Sequence, residues 1–363
     1  MNVLIIGSNG FIGSNIKQFL KHKSDFIIFE HTRKDTLSSL QKKLKICDLV
    51  LHFAGENRSK NLNNFIKNNY ELSEFIAKNA KKNSHIVYSS TIKIDEKNSY
   101  GLSKKKAEKV LKKYRTKNKF KLSILRLPNI FGRWSRPNYN SVVATFCHNI
   151  ARNKKVYISN PNSNINLLYV DDLVVKLKEY TKIQSNKKMI DRIKANDKIT
   201  LKQLYNKINS FQINRTKKII GKISKGLNKN LYSTYISFLP QKKITYNIEK
   251  KNDSRGSFAE FYKNDDTGQV SFFIAKKGKI RGHHFHHSKV EKFLVVQGKA
   301  IFNMFDISTK KKLSFKLDDK NLKIVESIPG YQHYIKNVGN SDLIVLLWSN
   351  EIFDVKKPDT YKI

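Results

Sequence analysis

The chain has 363 residues, of which 39% are hydrophobic, with 15 glycines and 6 prolines; this excludes a fibrous or disordered protein, and the length predicts two domains. Its 71 lysines and arginines against 29 aspartates and glutamates give a net charge of +42. Because the cations are mostly lysines scattered through every segment, we expect solvated surfaces and no nucleic-acid partner, with a basic nucleic-acid-binding protein as the alternative.

The first half of the chain alternates between two kinds of segment. Short apolar runs suited to buried parallel strands occupy residues 3–7, 26–30, 47–55, 84–90 and 122–132. Between them, apolar residues recur at intervals of three and four, as in 14–22 and 99–114, which predicts amphipathic helices. This alternation predicts an α/β domain with a doubly wound parallel sheet of the Rossmann type.

The pattern changes from about Gly268. Closely spaced strand-like runs, rich in β-branched and aromatic residues, follow at 269–275, 291–305, 312–317, 322–328 and 342–348. They predict a small all-β domain, an antiparallel barrel or jelly roll. The stretch 183–252 is polar and lysine-rich, with a helical piece after Thr200, and we interpret it as the tail of the first domain plus a connection. We therefore expect one domain over residues 1–245 and another over 246–363.

A glycine triplet follows the first predicted strand. Gly7, Gly10 and Gly13 open the first predicted helix, with Phe11 and Ile12 in the same turn. Glycines there permit a tight turn and a close approach of the backbone, while the helix N-terminus offers free N–H groups to a pyrophosphate. In this position the motif predicts a dinucleotide site rather than an ordinary tight turn.

The end of the second predicted strand bears on which dinucleotide is bound. An acidic residue there takes the ribose hydroxyls of NAD, and Glu30 is in that place. Arg33 and Lys34 follow, and a nearby arginine accommodates the 2′-phosphate of NADP. We favour NADPH, with Arg33 as the phosphate partner; a solvated surface charge is the alternative for Arg33.

Tyr100 and Lys104 lie one helical turn apart, so they share one face of a predicted helix. A lysine ammonium beside a phenol stabilises the phenolate and lowers its pKa towards the working range of a general acid or base. The preceding strand ends in the hydroxyls of Ser89, Ser90 and Thr91, which could hydrogen-bond a substrate oxygen.

Together with the glycine loop, "HFAG" at 52–55 and "LYVDD" at 168–172, this pair resembles the extended short-chain dehydrogenase/reductase family. The resemblance implies that Tyr100 donates or accepts a proton and that Lys104 holds the nicotinamide ribose and lowers the tyrosine pKa. It implies Thr91 as the hydroxyl partner, with Ser89 and Ser90 adjacent. Ala54 and Gly55 would contact the cofactor, and residues 133–140 would border the sugar-nucleotide pocket.

Histidines cluster near the other end of the chain. On a strand, His284 and His286 project to the same face and can reach one ion. Glu291 and His333 would complete a site of three nitrogens and one oxygen, which zinc and other divalent transition metals accept. The spacing resembles the cupin metal motif. We therefore expect a divalent metal, zinc, on these four residues rather than a surface histidine patch.

A short-chain reductase followed by a cupin resembles, over essentially the whole chain, the bifunctional CapF-type epimerase/reductases of capsule-precursor synthesis. The resemblance implies a UDP-2-acetamido-2,6-dideoxy-4-hexulose substrate that the cupin inverts at C3. NADPH-dependent reduction at C4 would then give UDP-2-acetamido-2,6-dideoxy-L-talose, on the route to UDP-N-acetyl-L-fucosamine for capsule or O-antigen polysaccharide. The resemblance also implies a homodimer.

Two questions stay open at the level of sequence. The C3 base is undecided between Lys292 and the histidines near the metal. The cupin can also be a non-catalytic module on a single-function NAD(P)H-dependent sugar-nucleotide reductase or epimerase. Exchange of the C3 proton separates the two functions.

The cysteines and the apolar runs bear on the compartment. Cys47 and Cys147 form no Cys-x-x-Cys pair, which excludes a disulfide framework and a thiolate zinc site. The first residues lead straight into an apolar strand without a charged leader, and no apolar run reaches membrane-spanning length. We therefore expect reduced thiols in a cytoplasmic protein with no membrane partner.

Overall fold

The computed structural model describes residues 1–22, 25–59, 61–181, 189–217, 219–247, 250–253, 256–259, 268–351 and 356–362. The chain forms two compact units, one of Met1–Ser141 with Asn164–Ile199 and the other of Val142–Ser163 with Thr200–Ile363. The expected division into domains of residues 1–245 and 246–363 stays a prediction.

The first unit is built on a parallel sheet. Its strands are β1 (Asn2–Ile6), β2 (Ile27–His31), β3 (Leu49–His52), β4 (His85–Thr91), β5 (Lys121–Leu127), β6 (Asn129–Phe131), β7 (Asn164–Tyr169), β8 (Ile190–Arg192) and β9 (Asp197–Thr200). Six of these described strands pair in parallel in the order β2-β1-β3-β4-β5-β8. The strands β6, β7 and β9 form a smaller sheet.

Helices cover both faces of the larger sheet. The helices of the first unit are α1 (Phe11–Lys21), α2 (Leu37–Ile46), α3 (Leu62–Phe65), α4 (Leu72–Asn79), α5 (Ser99–Asn118) and α7 (Val170–Thr181), with a π-helical turn (Ile66–Glu71) between α3 and α4. The helix α6 (Val142–Ala151) belongs to the second unit. One buried apolar cluster joins the sheet to α1 and α7, and another joins it to α2, α4 and α5. Burial of both faces explains the near-continuous apolar sequence of the strands. The predicted doubly wound α/β fold is confirmed.

The strand order reverses around β1. Because β1 lies between β2 and β3, the chain leaves its carboxyl end for α1 in a crevice flanked by the ends of both neighbours. In open α/β sheets, ligands bind outside the carboxyl ends of the strands at such a reversal. The glycine loop occupies this place.

The second unit combines helices with two five-stranded sheets and one two-stranded sheet in the part of the chain that the structure describes. Its further helices are α8 (Leu201–Lys217), α9 (Gly226–Ser237) and a 3-10 turn (Gln241–Lys243). Its strands are β10 (Thr245–Asn247), β11 (Lys250–Asp253), β12 (Gly256–Ala259), β13 (Gln269–Ala275), β14 (Ile280–Phe285), β15 (Glu291–Gln297), β16 (Lys299–Asp306), β17 (Lys312–Asp318), β18 (Lys323–Glu326), β19 (Tyr331–Asn337), β20 (Leu343–Ser349) and β21 (Tyr361–Lys362).

These strands form the expected all-β fold. One sheet has the order β10-β18-β15-β20-β13 and the other β17-β16-β19-β14-β21, while β11 and β12 pair with each other. The ring of Phe293 in the first sheet lies 4.8 Å from that of Phe302 in the second, measured between centroids. Both side chains are buried, so the two sheets share one core. The predicted jelly roll of the cupin type is confirmed.

None of the helices in the described part of the chain is suited to crossing a bilayer. The helix α5, for example, has 20 residues, but its exposed positions are mostly lysines. A spanning helix needs about 20 predominantly apolar residues. No described helix combines that length with that apolar character.

Candidate active site and metal centre

The glycine loop is shaped by contacts that exclude a side chain. Gly7 has a φ of +86°, and a Cβ there would lie 2.8 Å from the backbone nitrogen of Ala54. A Cβ on Gly13 would lie 2.1 Å from the carbonyl oxygen of Gly7. Gly10 is the N-cap of α1, and no side chain caps it. The loop thus exposes its backbone, without side chains, at the N-terminus of α1, and this arrangement fits a pyrophosphate. The other cofactor positions expected around this loop, all part-buried, are Phe11, Ile12 and Ala54.

The loop after β3 lies against both the glycine loop and α5. A Cβ on Gly55 would lie 3.1 Å from Lys104 Nζ and 2.7 Å from Asn69 Oδ1, so glycine leaves the space that both side chains use. The side chain of Asn69 forms two hydrogen bonds with the backbone of Glu56, the residue after Gly55. Its Oδ1 accepts from the Glu56 N–H (2.8 Å), and its Nδ2 donates to the Glu56 carbonyl (3.0 Å). Its Nδ2 also donates to Ser103 Oγ of α5 (2.8 Å).

Sequence reasoning did not identify Asn69. Its side chain is 1% exposed and lies in the π-helical turn between α3 and α4. Such turns recur at functional sites, but the residue spacing that predicts α-helices does not predict π-helical turns. The asparagine therefore becomes visible only in the folded chain.

The tyrosine, the lysine and the threonine predicted from the sequence meet at the carboxyl end of β4. The side chain of Thr91 acts on the phenol of Tyr100 and tends to lower its pKa. Lys104 is 3% exposed, and its Nζ donates to the carbonyl of Ser89 at 2.9 Å. A helix and a strand end thus place a phenol, a hydroxyl and an ammonium together.

Burial sets the protonation of this group. It raises the pKa of the Tyr100 phenol to about 12, against the opposing hydrogen bond from Thr91. It also lowers the pKa of Lys104 to about 8, against the opposing charge of Glu108. That Lys104 lowers the tyrosine pKa stays a prediction; in this structure the removal of the phenol from water dominates. Tyr100 therefore stays protonated at neutral pH and can donate a proton.

The two serines beside Thr91 are engaged elsewhere. Ser90 Oγ donates to Glu108 Oε1 at 2.7 Å, and Ser89 Oγ donates to a backbone carbonyl of β3 at 3.2 Å. The Thr91 hydroxyl accepts from the backbone N–H of Lys93 at 3.1 Å, and Thr91 is the member of this hydroxyl run that acts on the pKa of Tyr100. This favours Thr91 as the hydroxyl partner.

Arg33, expected to hold a 2′-phosphate, pairs with a carboxylate in this structure. One terminal nitrogen of its guanidinium lies 3.0 Å from Glu56 Oε2; the Arg33 side chain is 76% exposed and that of Glu56 only 9%. The other oxygen of Glu56 accepts from the hydroxyl of Tyr139 at 2.5 Å, which belongs to the loop 133–140. Glu30, considered for NAD, pairs with Lys17 at 3.0 Å. Sequence reasoning did not select Glu56.

In the second unit, His284, His286, Glu291 and His333 come together. Their ligand atoms all lie within 4.8 Å of one another. Glu291 Oε2 lies 3.1 Å from His286 Nε2 and 3.2 Å from His333 Nε2. His284 and His333 face each other in the β14–β19 register, whereas Glu291 comes from β15 in the other sheet. Three imidazoles and one carboxylate, mostly buried, fit a divalent ion such as zinc.

The electrostatics of the cluster suit a cation. Burial lowers the pKa of His284 to about 3, and His333 and His286 act in the same direction. Burial also lowers the pKa of His333. Burial alone would raise the pKa of Glu291, but His286 and His333 hold it well below its usual range. Neutral imidazole and ionised carboxylate are the forms that bind a metal.

The structure separates two lysines near this cluster. Lys292 follows Glu291 on β15, so its side chain lies on the opposite face of the strand. Its Nζ donates to the hydroxyl of Tyr246 at 2.8 Å and pairs with Glu326. Lys289, which sequence reasoning did not select, has its Nζ 3.5 Å from Glu291 Oε1. The fold therefore brings Lys289 to the metal cluster, and not Lys292.

Comparisons with known proteins cover both units. Residues 3–177 match the NAD dependent epimerase/dehydratase family, and residues 251–361 match the polysaccharide biosynthesis C-terminal domain. Over 99% of this chain and 98% of the relative, the sequence is 38% identical to a UDP-2-acetamido-2,6-beta-L-arabino-hexul-4-ose reductase of Pseudomonas aeruginosa. The crystal structure of the capsular polysaccharide assembling protein CapF from Staphylococcus aureus matches with 36% identity and a TM-score of 0.65, covering 100% of this chain and 99% of CapF. The chain belongs to the CapF-type epimerase/reductase family.

Likeness to CapF extends over the reductase part and the cupin part alike. A second match shares less of the chain: the UDP-glucuronic acid 4-epimerase from Bacillus cereus covers 58% of this chain and 83% of its own, with 16% identity and a TM-score of 0.51. At that identity the match shows the fold alone. CapF thus matches both parts of the chain, whereas the epimerase matches 58% of it.

Proposed function

We propose that the chain reduces a UDP-2-acetamido-2,6-dideoxy-4-hexulose at C4 with NADPH, after its cupin has inverted C3, to give UDP-2-acetamido-2,6-dideoxy-L-talose on the route to UDP-N-acetyl-L-fucosamine. The observation that carries the proposal is the meeting of Thr91, Tyr100 and Lys104 at the end of β4, beside Gly55. Similarity over the whole chain to a named UDP-hexulose reductase supports this substrate class.

The side chains at the end of β4 position the ketone and move one proton. The nicotinamide, when bound, supplies the hydride. A ketone oxygen set between the hydroxyls of Thr91 and Tyr100 accepts two hydrogen bonds. Tyr100, kept protonated by burial, donates its proton to the oxygen as negative charge develops there. Lys104, buried one helical turn further along α5, would offset the charge left on the phenol.

Arg33 supports NADPH over NADH. It follows β2, where the 2′ position of a dinucleotide lies in this fold, and its side chain is largely exposed. A guanidinium binds a phosphate through paired, charge-assisted hydrogen bonds. The carboxylate that would favour NAD, Glu30, is paired with Lys17.

The histidine cluster supports a step at C3. The neighbouring ketone acidifies the C3 proton, so inversion needs proton transfer and stabilisation of an enolate oxygen. A divalent ion held by His284, His286, Glu291 and His333, zinc in our proposal, would supply a Lewis acid. Lys289 adds a cation from the chain itself, beside Glu291, that would stabilise the same negative charge.

Exchange of the C3 proton tests the two steps separately. Full-length protein is incubated with a UDP-N-acetyl-4-keto-6-deoxy-hexose in D2O without NADPH, and deuterium at C3 is followed by proton NMR. We expect exchange by the wild type and none by His284→Ala. The matched variant Tyr100→Phe should keep the exchange but lose NADPH oxidation, because it removes the proton donor of the second step alone.

The outcomes distinguish the candidates. Wild-type protein that oxidises NADPH without any C3 exchange would be a single-function reductase with a non-catalytic cupin. NADPH oxidation that persists in Tyr100→Phe would contradict the assignment of the proton donor. Exchange that survives in His284→Ala would remove the histidine cluster from the C3 step.

A further inference from the structure

A carboxylate near the C-terminus gathers the loop that follows the first metal ligands. We name residues 356–362 the C-terminal strap. The carboxylate of Asp359 in this strap accepts hydrogen bonds from the backbone N–H groups of His287 (2.8 Å), Ser288 (2.8 Å) and Lys289 (2.7 Å). It also accepts from Ser288 Oγ at 3.0 Å. Asp359 thus holds residues 287–289 of the link between His286 and β15.

The backbone of the same residue contacts a metal ligand. The carbonyl oxygen of Asp359 lies 2.5 Å from Nδ1 of His286. A carbonyl oxygen can only accept, so Nδ1 is the donor, and Nε2, 3.1 Å from Glu291 Oε2, is the ring nitrogen that would bind an ion together with Glu291. Hydrogen bonds of this kind fix the ring orientation and the tautomer of histidine ligands in metalloproteins.

Other contacts anchor the strap on the barrel. The strand β21 pairs with β14, setting Tyr361 opposite Phe285. The ring of Tyr361 lies 4.7 Å from that of His287, measured between centroids. Thr360 Oγ1 accepts from Lys289 Nζ at 3.0 Å. The C-terminal strap is therefore held against the barrel by contacts of Thr360 and Tyr361 as well as by those of Asp359.

We propose that Asp359 is a positioning residue for the metal centre, one that raises the affinity of the four ligands for a divalent ion by fixing the His286 ring and the loop 287–289. This inference rests on the metal centre of the proposed function. Ligands held in place before the ion arrives lose less conformational entropy on binding. Removal of outer partners of metal ligands typically weakens metal binding about 10- to 100-fold.

The test is the affinity of full-length protein for Zn²⁺ alone, measured by competition with a chromophoric chelator. Asp359→Ala keeps the backbone carbonyl that contacts His286 and removes the carboxylate that holds residues 287–289. We expect it to bind one ion per chain about 10-fold more weakly than wild type, the low end of the loss typical for outer partners of metal ligands. Lys357→Ala, an exposed residue of the same strap, should bind as wild type does. His284→Ala, which removes a ligand, marks the loss expected for the site itself.

Asp359→Asn guards against a folding defect, since its amide oxygen can still accept some of the backbone hydrogen bonds, and we expect an affinity between wild type and Asp359→Ala. Thermal unfolding of the metal-free proteins is measured in parallel. Unchanged Zn²⁺ affinity in both Asp359 variants, with only a lower unfolding temperature, would overturn the proposal. If wild type binds no Zn²⁺ while NADPH binding persists, the metal centre fails and this inference fails with it.

Discussion

Arg33 and Glu56 form an ion pair across the carboxyl end of β1. Arg33 follows β2 and Glu56 follows β3, and β1 lies between these two strands. The pair therefore spans the crevice into which a dinucleotide would enter. A 2′-phosphate at Arg33 has to compete with the Glu56 carboxylate for the same guanidinium.

This competition predicts opposite effects at the two residues. Glu56→Gln should strengthen NADPH binding up to about five-fold, because a partly exposed ion pair is worth at most about 1 kcal/mol. Arg33→Ala should weaken NADPH binding and leave NADH binding unchanged. Fluorescence titration with both dinucleotides measures these affinities, and Lys34→Ala serves as the exposed neighbouring control. An equal loss of NADH and NADPH affinity in Arg33→Ala would contradict a contact with the 2′-phosphate.

Loss of the Thr91 hydroxyl should slow reduction. Thr91→Val keeps the shape of the side chain but removes one of the two hydrogen bonds proposed for the ketone oxygen. We expect kcat for NADPH oxidation to fall about 100-fold with little change in the KM for NADPH. Ser89→Ala is the matched control, because its hydroxyl is turned towards β3. A larger loss in Ser89→Ala than in Thr91→Val would reverse the assignment.

The rate of reduction should fall on the alkaline side because of Lys104. Its pKa is lowered to about 8, so the ammonium is present below that pH and is lost above it. Tyr100, with a pKa of about 12, does not titrate in this range. We expect kcat/KM for the sugar to be flat from about pH 6 to 7 and to decline above about pH 8. Lys104→Arg should move this decline to higher pH, since a guanidinium stays charged. A decline that stays at pH 8 in Lys104→Arg belongs to another group.

The two lysines near the cupin cluster should give different phenotypes. Lys289→Met removes the cation beside Glu291, and we expect C3 exchange to drop about 100-fold. Lys292→Met takes a hydrogen bond from buried Glu326 and should instead lower the free energy of unfolding by about 1–3 kcal/mol. NMR exchange and urea unfolding measure the two effects. Exchange that depends on Lys292 and not on Lys289 would refute this division.

Asn69→Ala should loosen the loop after β3. It leaves the buried backbone N–H and carbonyl of Glu56 without their side-chain partner, which costs about 1–3 kcal/mol of stability. Because that loop adjoins Lys104 through Gly55, we also expect a higher KM for NADPH. Asn68→Ala, the neighbour whose amide reaches only a Glu56 side-chain oxygen at 3.3 Å, is the control. Equal NADPH kinetics in the two variants would reduce Asn69 to a role in stability.

Local spacing carried most of the site that could be predicted from the sequence. Tyr100 and Lys104 are one helical turn apart, so secondary structure alone placed this pair together. His284 and His286 were expected on one strand face; β14 ends at Phe285, but the two rings still come within 5.0 Å of each other, measured between centroids. The α/β fold and the all-β fold were likewise predicted from the helical and strand periodicities of the sequence. The helix α9 escaped notice because its residues 231–236 are all buried, which leaves no amphipathic pattern to read.

What could not be predicted depends on contacts between distant segments. Asp359 lies 72 residues from His287, whose backbone it holds, and nothing in either segment points to the other. The choice between Lys289 and Lys292 depends on where β15 begins, because one residue of offset changes the strand face. The raised pKa of Tyr100 depends on its burial in the folded chain, which its spacing from Lys104 does not reveal.

The π-helical turn Ile66–Glu71 also bears on how this active site could arise in evolution. A π turn corresponds to one extra residue within an α-helix, and one residue rotates the following side chains by roughly 100°. Deletion of a single codon ahead of Asn69 would therefore turn its amide away from Glu56 without disturbing any strand. The two hydrogen bonds between the Asn69 side chain and the Glu56 backbone would thus be gained or lost in one mutational step. Enzymes that lack them should show a one-residue gap at this point of an alignment.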